Sequence, residues 1–114
     1  MRHLKKKKIG KGTDSRRKLL RALASQVIVH EKIQTSYANA RAVRPYVEKL
    51  ITKAKLDTLH IRRTLMSRLT KNAALKTIEV LGQKYKERNG GYLRLTKLNN
   101  PHAGKSKVVV ELID

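Results

Sequence analysis

The sequence predicts an α+β fold: a small three-stranded antiparallel sheet packed by about four helices, with an extended basic arm at the N-terminus. Three observations carry that expectation. Four stretches repeat apolar residues at helical spacing, and three shorter ones alternate or are rich in β-branched residues. Their order is helix, strand, three helices, two strands, which is not the strict alternation of a parallel α/β sheet. The first dozen residues follow neither period and are dominated by lysine.

The arm comes first. Residues 1–12 contain the run Lys5-Lys6-Lys7-Lys8 and then Gly10, Lys11 and Gly12. Like charges at this density repel and keep a chain extended, so the arm is expected to order only against a polyanion. Residues 13–114 are read as one domain.

Thr13-Asp14-Ser15 offers helix-capping chemistry. Leu19, Leu20, Leu23, Val27 and Ile28 then form a helical stripe, with Arg17, Lys18, Arg21 and Ser25 opposite. The basic character of the arm thus continues onto a helix face. Lys32 to Tyr37 alternates, with Ile33, Thr35 and Tyr37 on one side, as a short strand does.

Val43, Val47, Leu50, Ile51 and Ala54 mark the second helix. Pro45 inside it implies a start near Arg44 or a kink there. Asp57-Thr58 can cap a third helix, with Ile61, Leu65, Met66 and Leu69 inward and Arg62, Arg63 and Arg68 outward. Asn72 can cap a fourth, burying Leu75, Ile78 and Leu81 and ending at Gly82.

Tyr92 to Leu98 and Lys107 to Ile113 read as strands. Asn99 to Gly104 between them reads as a hairpin loop. The last two strands should pair, and the strand near Ile33 should join them.

Composition narrows the function. The 114 residues include 28 Lys or Arg against 8 Asp or Glu, a formal net charge of +20. That excess exceeds what solubility needs and attracts nucleic acid or an anionic surface. With no Phe and no Trp, the interior must be built from Leu, Ile and Val. The absence of Cys excludes disulfides and thiolate metal sites. No apolar run approaches the roughly 18 residues of a membrane span, and no apolar segment follows the basic start as it would in a secretory signal.

Catalytic chemistry finds no foothold. The carboxylates Asp14, Glu31, Glu48, Asp57, Glu79, Glu87, Glu111 and Asp114 are scattered, with no pair at close helical spacing. His3, His30, His60 and His102 are isolated, apart from His30 beside Glu31, and adjacent residues do not face each other on a helix. "GKGTDS" is not a P-loop, because Lys11 is followed by Gly12 and no strand precedes it. No enzyme, no metal, no cofactor and no small-molecule substrate are expected.

Two stretches stand out for other reasons. "ERNGGY" (Glu87 to Tyr92) reads equally as a hairpin turn or as a helix-to-strand loop, with Arg88 and Arg94 flanking a glycine pair. "RPYVEKLIT" (Arg44 to Thr52) reads as a helix whose apolar residues form core. Tyr46 there is expected to pack rather than stack on a base. Arg44 can serve structure or face phosphate.

Taken together, "MRH", "IGKGTDSRRKLLRAL", "KIQTS", "RPYVEKLIT", "RNGGYLRLTKL" and "VVVELID" resemble, in order and spacing over essentially the whole chain, the bacterial-type large-subunit ribosomal protein seventeen family. Leu4 and Ser15 depart from it, standing where the family usually has a basic residue and often has His.

The resemblance implies a structural component of the large ribosomal subunit that binds rRNA directly near the peptide tunnel exit. Its implied partners are large-subunit rRNA and neighbouring ribosomal proteins. Its implied location is the ribosome of a bacterial cytoplasm or of an organelle. A three-stranded antiparallel sheet with packed helices is the family fold, and it favours "ERNGG" as a loop.

The candidate RNA-binding residues are Arg2, His3, Lys5, Lys6, Lys7, Lys8 and Lys11 in the arm. Arg16, Arg17, Lys18 and Arg21 follow on the first helix, then Arg44, Arg88, Asn89 and Arg94. The runner-up reading is a DNA-architectural protein, for which His60 to Leu81 could imitate a helix-turn-helix.

Overall fold

A computed structural model describes residues 12–98 and 107–114. Residues 1–11 of the expected arm and the expected hairpin loop at Asn99 to Gly104 lie outside these residues, while Gly12, taken as the last residue of the arm, opens the first helix.

Helix α1 (Gly12–His30) buries Leu23, Ala24, Ser25, Val27 and Ile28. Thr13, Asp14 and Ser15 lie inside its first turn rather than ahead of it, and Asp14 complements the helix dipole there. Ser25 is not on the outer face. It is 5% exposed, and its hydroxyl accepts the backbone N–H of Thr70 at 3.0 Å. A small buried polar group is tolerated when it meets such a partner.

Glu31, at φ 64, turns the chain into strand β1 (Lys32–Ser36). Tyr37 leaves the strand and starts α2 (Tyr37–Ala54), because Ser36 caps that helix by accepting from the Asn39 N–H at 3.2 Å. The helix therefore begins well before Arg44 and runs through Pro45. Pro45 has no N–H for the Arg41 carbonyl, but it sits on the exposed face, where water can satisfy that carbonyl.

Asp57, at φ 42, makes the next corner, and Thr58 caps α3 (Leu59–Arg68) by accepting from the Ile61 N–H at 3.2 Å. Ile61, Leu65 and Leu69 point inward as expected, whereas Met66 is 38% exposed.

Helix α4 (Lys71–Lys76) starts from Thr70, so Asn72 is its second residue and not its cap. It continues through a π-helical stretch (Thr77–Leu81) into a last turn (Gly82–Lys84). Gly82 does not end it. Its backbone is helical, and a Cβ there would meet the Ala54 carbonyl oxygen at 3.1 Å. The glycine lets α4 approach the end of α2.

Strands β2 (Leu93–Leu98) and β3 (Lys107–Leu112) pair antiparallel, and β1 pairs antiparallel on the other side of β3, giving the order β1-β3-β2. Ile33, Val110 and Leu95 share one cross-strand row, and Lys32, Glu111 and Arg94 share the next. Alternation sends the first row onto the helices and the second to the outer face. The core lies between α1, α2 and the inner sheet face, where Val27, Ile28, Val43, Val47, Val108 and Val110 are all fully buried. The architecture is the α+β fold with a three-stranded antiparallel sheet that the sequence predicts.

"ERNGGY" is a helix-to-strand loop. Gly90 (φ 111) and Gly91 (φ 64) hold conformations that side chains disfavour, although no atom lies within 4 Å of a Cβ at either position. Backbone strain alone therefore sets the cost of substitution. Replacing both with Val should destabilise the fold by about 2–4 kcal/mol. Arg88→Ala, which removes an exposed side chain, should cost under about 0.5 kcal/mol. Thermal melts compare them, and equal melting temperatures would rule out a special backbone here.

Candidate nucleic-acid interface

Cations from three helices converge at one place. Arg17, Lys18, Leu20 and Arg21 of α1, Tyr46 of α2, and Ser67 and Arg68 at the end of α3 line an open groove of about 460 Å³. A second groove of about 270 Å³ shares Leu20, Tyr46 and Arg68 and adds Pro45, Lys49 and Lys53. No acidic residue lines either one.

Sequence logic explains the convergence. Each helix packs its apolar stripe inward, which turns Arg17 and Lys18, Lys49 and Lys53, and Arg68 out along neighbouring ridges. The groove floor is fixed by two hydrogen bonds to the end of α3. Tyr46 donates its hydroxyl to the Arg68 carbonyl at 2.8 Å, and Arg21 donates Nη2 to the Leu69 carbonyl at 3.2 Å. Burial raises the Tyr46 phenol above its ordinary pKa against the opposing pull of the Arg68 and Arg21 guanidiniums, so it stays a neutral donor. Tyr46 is thus a packed tyrosine, as expected.

The remaining candidates fall elsewhere. Arg16 is half-buried on α1. Arg44 donates Nε to Glu48 Oε1 at 3.1 Å, and Glu48 Oε2 accepts the Tyr92 N–H at 3.0 Å. The arginine is thereby linked to the start of β2 while its side chain remains 45% exposed.

Arg88 and Asn89 are exposed on the glycine loop. The Arg88 carbonyl accepts from Lys55 Nζ and, at 3.2 Å, from the Tyr92 hydroxyl, which pins that loop to α2. Arg94 stands on the outer sheet face, 3.8 Å from Glu111. Arg2, His3, Lys5, Lys6, Lys7, Lys8 and Lys11 lie outside the described residues.

The structure therefore brings Arg17, Lys18 and Arg21 together and keeps Arg44, Arg88, Asn89 and Arg94 apart from them. It adds Lys49, Lys53 and Arg68. Their outward helical phase was the available signal, but phase alone does not tell which ridges meet. Arg62 is outward too, yet both its Nε and Nη2 bond Asp57, at 2.7 and 3.2 Å. That hydrogen bonding holds the Asp57 carboxyl below its usual pKa, so the pair persists at neutral pH.

The stretch that could imitate a helix-turn-helix turns one face of its second helix into the core and leaves Lys71, Asn72, Glu79 and Val80 exposed. Ala73, Ala74, Thr77 and Ile78 of the α4 region are core. Among the described residues no group of His, Asp or Glu is arranged to hold a metal ion. None of the described helices is long and apolar enough to cross a membrane.

Comparison with known proteins adds an independent line. The model of the family described as Ribosomal protein L17 matches residues 19–113. A protein of Wolbachia sp. subsp. Drosophila simulans (strain wRi), named large ribosomal subunit protein bL17, is 43% identical over 119 residues, covering all of this chain and 84% of its own. The Neorickettsia sennetsu protein of the same name is 42% identical over 100 residues, covering 85% of this chain and 86% of its own. The Rickettsia africae protein of that name is 37% identical over 117 residues, covering all of this chain and 86% of its own.

Proposed function

The chain belongs to the ribosomal protein L17 family, and from that premise we propose that it is a structural component of the large ribosomal subunit that binds its rRNA through the arm and the three-helix basic groove. It performs no catalysis, as the family is structural. The position is near the peptide tunnel exit, beside other large-subunit proteins, in a ribosome of bacterial type.

The observation that carries the rRNA reading is the acid-free groove, where Arg17, Lys18, Arg21, Lys49, Lys53 and Arg68 surround an apolar floor. Phosphates spaced along an RNA strand meet cations on both walls, and arginines can grip them with two parallel bonds. Leu20, Pro45 and Tyr46 offer the floor to sugar faces. Recognition proceeds by the shape and backbone of folded RNA more than by base edges.

The arm (1–12) and the domain (13–114) divide the work. The arm enters clefts between RNA helices, and the domain covers the outside. Arm ordering costs entropy, which counterion release offsets. Residues Arg44, Arg88, Asn89 and Arg94 supply further phosphate contacts away from the groove.

Co-sedimentation of tagged protein with ribosomal subunits across a salt series tests the reading. Wild-type protein should stay with the large subunit through high salt. The triple variant Arg17→Ala, Lys18→Ala, Arg68→Ala should dissociate at lower salt, with a log–log slope flatter by about 2–3 units. Loss of the wild type at modest salt, with equal binding to any polyanion including duplex DNA, would overturn it.

A further inference from the structure

We propose that the exposed ring of Tyr37, flanked by Arg41 and Lys97, is a stacking site for one unpaired nucleotide of the large-subunit rRNA. This rests on the rRNA-binding reading above and adds the form of the ligand.

The four tyrosines are used differently. Tyr85 and Tyr92 are buried, and Tyr46 has its hydroxyl tied to Arg68. Tyr37 is 40% exposed at the first position of α2. An aromatic ring held in water at the rigid start of a helix lacks the burial that justifies the other three.

Its neighbours are cations from two separate elements. Arg41 lies one helical turn further along α2, with Cζ 5.7 Å from the ring centroid. Lys97 reaches over from β2, with Nζ 5.1 Å from the same centroid. Among the described residues no carboxylate lies within ion-pair distance of either, whereas Arg44, Arg62, Lys76, Lys84 and Arg94 all have one. The arrangement combines a π-face with two uncompensated positive charges.

That combination fits an unstacked nucleotide. A base presents a π-face to the ring, and the phosphates on its two sides meet the guanidinium and the ammonium. Cation–π contacts at exposed sites are weak, so phosphates can draw both cations aside and leave the ring to the base. A duplex hides its base faces, so an unpaired nucleotide in a loop or bulge is the form of RNA that fits. Two unpaired cations likewise disfavour an apolar protein surface as the occupant. The site is separate from the basic groove, where the tyrosine is already engaged.

Large subunits assembled with full-length Tyr37→Ala and Tyr37→Phe proteins, probed chemically at nucleotide resolution, test this. One unpaired nucleotide should become reactive in the Ala variant and remain protected in the Phe variant. In solution, Tyr37→Ala should weaken rRNA binding about 10-fold while leaving the salt slope unchanged, because no charge is lost. The double variant Arg41→Ala, Lys97→Ala should instead flatten the slope by about 1–2 units.

Identical reactivity in wild-type and Tyr37→Ala subunits would overturn the stacking site while leaving rRNA binding intact. So would photo-crosslinking from position 37 to a ribosomal protein rather than to RNA. Failure of the wild-type chain to bind rRNA at all would remove the parent reading as well.

Discussion

Deletion of residues 2–11 will flatten the salt dependence of rRNA binding by about 4–5 units of log–log slope and impair incorporation into the large subunit. The segment carries six cations, Arg2, Lys5, Lys6, Lys7, Lys8 and Lys11, and no carboxylate. Each phosphate neutralised releases condensed counterion, and each contributes about 0.7–0.9 of a unit to the slope depending on whether the RNA is single-stranded or duplex. The groove variant removes three cations by comparison, so the arm should dominate. Filter binding of the full chain and the deletion across a salt series measures the difference. An unchanged slope would mean that the arm touches few phosphates and that the folded domain supplies the affinity.

Tyr92→Ala is the substitution expected to damage stability most, by about 3–5 kcal/mol in urea melts. The ring is fully buried and lies 5.0 Å from that of Tyr85. In a chain without Phe or Trp, these two rings are the largest side chains of the interior. The Tyr92 hydroxyl gives its proton to the Arg88 carbonyl, so Thr52 donates to it across 3.1 Å.

Tyr92→Phe removes only those hydroxyl bonds and should cost about 1 kcal/mol. The pair of variants separates packing from hydrogen bonding. A small domain stable by about 5–15 kcal/mol has little margin for the first. If Ala and Phe substitutions cost the same, the ring would not be a structural keystone.

Most of the fold was legible because its signals are local. The apolar stripes of α1, α2 and α3 and the alternation of β1 and β2 follow from periods of 3.6 and 2. The errors lie where tertiary contacts decide. Gly82 has the composition of a helix stop, but the Ala54 carbonyl needs the space a Cβ would fill. Ser25 looks like a surface residue until the Thr70 N–H arrives as its partner. Pro45 looks like a start or kink, yet an exposed helix face absorbs it.

The candidate site was half legible for the same reason. Arg17, Lys18 and Arg21 are visible as one basic helix face. Lys49, Lys53 and Arg68 join them only because α2 and α3 pack beside α1. Arg44 and Arg94 are RNA-binding candidates by sequence, and sequence does not reveal that Glu48 and Glu111 already stand beside them.

The strand order β1-β3-β2 has a consequence during synthesis. The strand that both others require is the last of the three to leave the ribosome that makes it. β1 emerges some 70 residues ahead of its only partner, and β2 cannot substitute because β3 lies between them. The helices from α1 to the end of α4, interrupted by β1, all precede β2 and β3 in the chain and can begin to pack early. The sheet closes only as a final step, so until then a nascent chain carries two unpaired strands with a basic leading segment already outside. Non-local pairing of this kind slows folding, and unpaired strand edges stay open until the last strand is available.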